Sequence, residues 1–180
     1  MRSWIFRPFL VSFLFLLAGR FPLAADLFKA SPTAEEIWRL NCGAIGFDFT
    51  DPSGNWWMQD ETFSGLSRWG YQSGSASSVN TTIGGTDLYP VFQTHRAGGT
   101  DLAYRIEVPK GLYEVKLLFS EIHDAANGAR VFDVALEGIT VIDNHDVHAE
   151  AGFRNADIHV FYPTVNDGVL DITFRQVTAG

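Results

Sequence analysis

The amino-acid sequence predicts an all-β protein, with two sheets packed as a sandwich. From residue 88 onward, short runs rich in Val, Ile, Leu, Phe and Tyr recur at close intervals, which is the length and make-up of strands. Turn residues separate them, at Gly98-Gly99, Pro109-Lys110-Gly111, Asn127-Gly128, Glu137-Gly138 and Asn166-Asp167-Gly168. These supply the positive or fixed φ that tight turns require. There is no internal repeat and no β-α-β alternation, which disfavours a nucleotide-binding α/β fold.

Taken in order, the chain opens with Arg2 and Arg7, an apolar run from Phe9 to Ala18, and small residues at Leu23-Ala24-Ala25. That is the physics of a secretory signal. It sets residues 1–25 as a leader, 26–35 as a polar link and 36–180 as one domain, secreted or held in the secretory-pathway lumen. The apolar run is about ten residues, against the roughly 20 that a membrane-spanning helix needs, so no transmembrane helix is expected in the mature chain. Thr33 to Glu36 has the spacing of one capped helical turn, and Ile37 to Asn41 reads as the first strand.

A long polar stretch from Asp48 to Thr86 follows, carrying Trp, Tyr and the turn Asp51-Pro52-Ser53-Gly54. Irregular stretches of this length in a compact domain point to function. Trp56 and Trp57 are adjacent, and alternation along a strand lets only one face a core. Strands are then expected at 88–95, 102–108, 112–121, 130–136, 139–143, 157–164 and 168–175. Arg130, Phe132 and Asp133 are expected to be structural: an Arg and an Asp on neighbouring strands commonly pair, and the Phe fills core.

Thirteen basic and twenty-one acidic residues give a net charge of −8. Such a surface repels nucleic acid and anionic lipid, which are bound by Lys and Arg clusters, and favours a neutral or cationic ligand. Cys42 is the single cysteine, so no internal disulfide is expected and a buried, inert thiol is the natural reading. Asn80-Thr81-Thr82 is an N-glycosylation sequon in a polar loop.

His145 and His148, with Asp143 and Asp146, suggest a metal cluster. Residues three apart on a strand face opposite sides, however, which weakens it. A structural calcium is chemically easier, since acidic oxygens abound, but no cofactor is expected. A glycoside hydrolase needs two carboxylates about 5–10 Å apart. Asp48 with Asp51, or Glu121 with Asp124, could supply them, and nothing singles either pair out.

Sugar recognition needs an aromatic face for the C–H patch of a pyranose and polar groups for its hydroxyls. Trp56, Trp57, Trp69, Tyr71 and Tyr89 are available in loops or at strand starts. Five segments sharpen this: Leu40-Asn41-Cys42-Gly43, Phe92-Gln93-Thr94-His95-Arg96, Phe119-Ser120-Glu121-Ile122, Gly128-Ala129-Arg130-Val131-Phe132-Asp133-Val134 and Val141-Ile142-Asp143-Asn144-His145-Asp146-Val147. Together they resemble the malectin-like carbohydrate-binding domain over about residues 37–176.

The resemblance implies a jelly-roll-like, galactose-binding-like sandwich that binds a neutral, glucose-type oligosaccharide without converting it. It also implies a further loop and closing strand after Gly180, so the sandwich is expected to lack its last strand and to expose an edge. Residue by residue, Trp69-Gly70 takes the place of a sugar-stacking aromatic, with Tyr71 beside it. Phe92 stands where the family carries Tyr before Gln93-Thr94. Where the family has two further rings, this chain has His123-Asp124. The implied sugar contacts are Trp69, Tyr71, Phe92, Gln93, His123 and Asp124. Domains of this type also occur in receptor ectodomains and on secreted hydrolases, so an extracellular protein-interaction module or a hydrolase accessory domain is the alternative.

Overall fold

The computed structural model describes residues 9–11, 14–21, 38–46, 48–64, 66–98 and 101–177. The expected link at 26–35 and its helical turn lie outside the described residues. In chain order the elements are β1 (Phe9–Val11), β2 (Leu14–Phe21), β3 (Trp38–Asn41), β4 (Phe49–Thr50), β5 (Trp56–Trp57), β6 (Trp69–Tyr71) and β7 (Ser75–Ser78). After α1 (Tyr89–Phe92) come β8 (Thr94–Gly98), β9 (Asp101–Glu107), β10 (Gly111–Phe119), β11 (Val131–Leu136) and β12 (Ile139–His145). The chain continues through α2 (Val147–Ala151), β13 (Asp157–Phe161), β14 (Thr164–Val165) and β15 (Val169–Val177).

Two five-stranded sheets carry the domain, one ordered β12-β11-β15-β9-β6, the other β13-β10-β2-β3 with β14 also on β10. A smaller sheet runs β1-β8-β7, and β4-β5 form a hairpin. The named strands pair antiparallel. This is the all-β sandwich expected from the sequence. Its cause is the period-2 pattern. Leu102, Tyr104 and Ile106 of β9, Leu170, Ile172 and Phe174 of β15, and Tyr113, Val115, Leu117 and Phe119 of β10 are all buried in one cluster. Alternate residues on those strands turn away, as a strand requires. A second cluster, with Trp57, Ile83, Val91, Phe92, Leu118 and Ile122, lies under the long loop.

One detail differs from the sequence reading. The strand expected at 88–95 starts as the helical turn α1, because Pro90 at its first positions fixes φ near the helical value. The strand proper begins at Thr94. Arg130 and Asp133 are structural: Asp133 lies opposite Arg175 on the neighbouring strand and accepts from its guanidinium at 2.9 Å, and Arg130 pairs with Glu121 and Asp124. Residues 14–21 pair with β10 on one side and β3 on the other. An apolar segment suits that position, since both its edges are hydrogen-bonded. Other expectations agree. Phe132 is fully buried, and Trp57 is in the core while Trp56 is exposed. The Trp57 indole N–H donates to Asp51, whose carboxylate also caps the backbone of Ser53 and Asn55. No helix among the described residues is long and apolar enough to cross a membrane.

Candidate functional site

Strand β8 organises the surface that carries most of the candidate residues. It is fixed by a close approach: Gly43, at φ +84°, has no room for a Cβ, which would stand 2.1 Å from the carbonyl oxygen of His95. The Gly43 N–H donates to Asp60 at 2.7 Å, and Asp60 also accepts from Arg96 Nε at 2.7 Å and from the Tyr104 hydroxyl at 3.2 Å. The Arg96 guanidinium lies 3.1 Å from the centroid of the Tyr71 ring and covers one of its faces. Burial, and then the Asp60 charge, push the Cys42 thiol well above its usual range, so it is a protonated core residue as expected.

The other face of β8 meets the loop after β10. His95 is buried with neither ring nitrogen hydrogen-bonded. Its ring packs edge-on against His123, centroids 4.9 Å apart. Burial first, then the charges of His123 and Arg130, hold His95 down at about 3, so its imidazole is neutral. Glu121 shapes the loop. One carboxylate oxygen accepts from the backbone N–H of His123 and Asp124 at 2.9 and 3.0 Å, and the other from Arg130 Nε at 2.7 Å. Burial works against the Glu121 charge, but Arg130 outweighs it and holds the carboxyl below its usual value. Arg130 also donates to Asp124 at 2.7 Å.

A cavity of about 490 Å³ opens where the ends of β3, β7 and β8 meet. Amides and hydroxyls line it, from Asn41, Asn80, Gln93, Ser77 and Thr94, together with the apolar surfaces of Phe49 and Ile45. None of its lining residues is ionisable. Local bonds hold the walls: Thr94 Oγ1 donates to Asn41 Oδ1 at 2.6 Å, and the Gln93 amide donates to the Thr81 carbonyl. That leaves the Gln93 carbonyl oxygen as an acceptor. Tyr89, 46% exposed, precedes the cavity-lining Pro90, and Trp56 pairs with Thr50 beside Phe49.

The candidate residues are therefore distributed. Gln93 lines the cavity. Phe92 is 1% exposed in the second core cluster, so its ring is closed to a ligand in this conformation. Trp69 and Tyr71, two apart on β6, are half-buried against the main core. Gly70 between them is required, because a Cβ there would sit 2.4 Å from the Phe63 nitrogen. His123 is exposed on the loop after β10, and Asp124 is drawn into the Arg130 pair. Asn80 is exposed at the cavity wall. Sequence reasoning did not single out Phe49 as a contact. It also missed Asn41 and Thr94, although both stand in the segments that carry the resemblance. His145 and His148 do not converge: His148 Nδ1 contacts Asn127 at 2.6 Å, whereas His145 is fully buried elsewhere.

Comparison with known proteins agrees with this architecture. The model of the Malectin domain matches residues 36–180. Receptor-like protein 4 of Arabidopsis thaliana is 30% identical over 131 residues, covering 66% of this chain and 21% of that protein. The chain thus spans about a fifth of the curated relative's length. Among solved structures, a Bacteroides uniformis β-glucuronidase matches with a TM-score of 0.70 and 30% identity, over 78% of this chain and 16% of that one. The ANXUR1 extracellular domain from Arabidopsis thaliana matches with a TM-score of 0.66 and 19% identity, over 81% and 44% respectively, a likeness of fold. This chain belongs to the Malectin domain family.

Proposed function

We propose that this chain is a non-catalytic module that binds a neutral oligosaccharide end, acting outside the cytoplasm after export. The observation that carries the reading is the cavity: about 490 Å³, open, and lined by amides, hydroxyls and apolar surface without an ionisable side chain. In a protein of net charge −8, a neutral concavity of this kind suits a ligand whose hydroxyls need hydrogen bonds and whose C–H face needs apolar cover. Gln93, Asn41, Asn80 and Thr94 would serve the hydroxyls, with Phe49 and Tyr89 as the apolar side. The family resemblance instead puts the stacking ring at Trp69 with Tyr71, His123 and Asp124. Trp69 is only half-buried, so it keeps this second arrangement open to test.

Calorimetry on the full chain against glucose-containing disaccharides and a cell-wall glycan set tests the reading. Weak, reversible binding is expected, reduced about tenfold in Gln93→Ala and little changed in Trp69→Ala. Loss in Trp69→Ala alone, with the fold retained, moves the site to β6. The receptor-type and hydrolase relatives support a second reading, a module that binds protein within a longer chain. No heat with any glycan from a folded protein would favour that reading and overturn the first.

A further inference from the structure

Away from the cavity, side chains from three elements converge between the two large sheets. His145 ends β12, Glu150 lies on α2, and Asp157 and His159 stand two apart on β13, hence on one face. Helix α2 is set by Asp146, which accepts from the Ala149 N–H at 3.1 Å and so fixes Glu150 over His145. His145 Nδ1 is 3.0 Å from Glu150 Oε1, and its Nε2 is 2.9 Å from Asp157 Oδ2. His159 Nε2 is 3.1 Å from Asp157 Oδ1. One ligating atom from each of the four residues lies within 4.8 Å of the others. His145 is 0% exposed, wedged against Phe119 and Phe132 at 5.1 Å from each ring.

The contact between His145 Nε2 and Asp157 is short but not aligned as a hydrogen bond. His145 Nδ1 is hydrogen-bonded to Glu150, which leaves Nε2 as the ring atom that faces Asp157 without a hydrogen-bond partner. A cation placed here would give the unpartnered His145 Nε2 a ligand bond while keeping the Asp157 carboxylate, which also contacts His159, paired with positive charge. We propose that His145 Nε2, His159 Nε2 and the Asp157 carboxylate form a binding site for a divalent transition metal of the zinc class, with Glu150 as the carboxylate that orients His145. Zinc takes imidazole and carboxylate ligands at about 2.0–2.2 Å in a tetrahedron, which puts donors roughly 3.3 Å apart. The contacts here are a few tenths of an ångström shorter, within reach of small side-chain adjustments. Two imidazoles disfavour calcium and magnesium, which prefer oxygen alone. Exposed Glu150 (side chain 52% accessible) and half-buried His159 leave a path for the ion. Because β12 and β13 belong to different sheets, a bound metal would clip the sandwich across one end.

The test uses the full chain, stripped with a chelator and titrated with Zn²⁺ by calorimetry and with Co²⁺ by visible absorption. One equivalent should bind, with the strong visible band of tetrahedral cobalt. Melting temperature should rise by roughly 5–10 °C at a hundredfold excess over Kd. His159→Gln, at a partly exposed position where the fold is expected to survive, should abolish binding. Glu150→Gln should weaken it about 10- to 100-fold, and Ca²⁺ should give neither heat nor a melting shift. Absence of stoichiometric Zn²⁺ binding by the folded protein overturns the site and leaves protons as the cations of the cluster. Undiminished binding in folded His159→Gln, or an equal response to Ca²⁺, overturns it as well.

Discussion

His95 sits buried with both ring nitrogens unbonded, held neutral by its surroundings with its titration depressed from 6.5 to about 3. Its folded value lies below its unfolded one, so the unfolded chain takes up the proton first. The stability this neutrality contributes is present above pH 6.5 and is lost as pH falls toward 3. Between pH 7 and pH 4.5 the loss from this residue should be roughly 2.5 kcal/mol. Urea unfolding of the parent protein and of His95→Phe at the two pH values checks this: the parent should lose more stability on acidification, and parallel losses would contradict it. At Gly43, a methyl group would meet the His95 carbonyl at 2.1 Å in a backbone at φ +84°. Gly43→Ala should cost about 3 kcal/mol or more, read from the denaturant midpoint.

The loop after β10 is an element shaped by one buried ion pair, Glu121 with Arg130, whose side chains are 4% and 8% accessible. Removing one partner of such a pair strands the other, so Arg130→Met should destabilise by about 3–5 kcal/mol and release His123 and Asp124. Thermal melting and loss of amide protection confined first to 121–130 would show it; a melt within 1 °C of the parent would refute it. Elements of this kind mark how far the sequence could be read. Alternation of Leu102, Tyr104 and Ile106, or of Trp56 and Trp57, is local and gives the strands and their buried faces directly. Partner choice is not local. Arg130 reaches back across a loop to Glu121 and Asp124, and Asn41 meets Thr94 from 53 residues away to form the cavity wall. His145 likewise finds Asp157 and His159 on the other sheet, while sequence spacing pointed to its neighbours Asp143, Asp146 and His148. The α1 turn shows the same limit on a smaller scale, since Pro90 overrides an apolar run that otherwise reads as strand.

Across the whole molecule, the sheet that faces β9, β11 and β15 is continuous only because β2 stands between β3 and β10. A chain beginning at Asp26, the form that removal of the expected leader leaves, lacks that strand, so β3 and β10 would face an open slot with unpaired backbone groups. Such a chain should self-associate or melt lower than the full chain, unless another strand takes the slot. Analytical ultracentrifugation and thermal melting decide, and a monomer as stable as the full chain would contradict the pairing. The central claim concerns where a neutral glycan binds on this framework. A ¹H–¹⁵N correlation spectrum of the labelled full chain, titrated with a glucose disaccharide, tests it most directly. The account predicts saturable shifts centred on Asn41, Ser77, Asn80, Gln93 and Thr94, the residues around the uncharged cavity. Shifts confined to β6 and the 121–124 loop, or none at all, would contradict it.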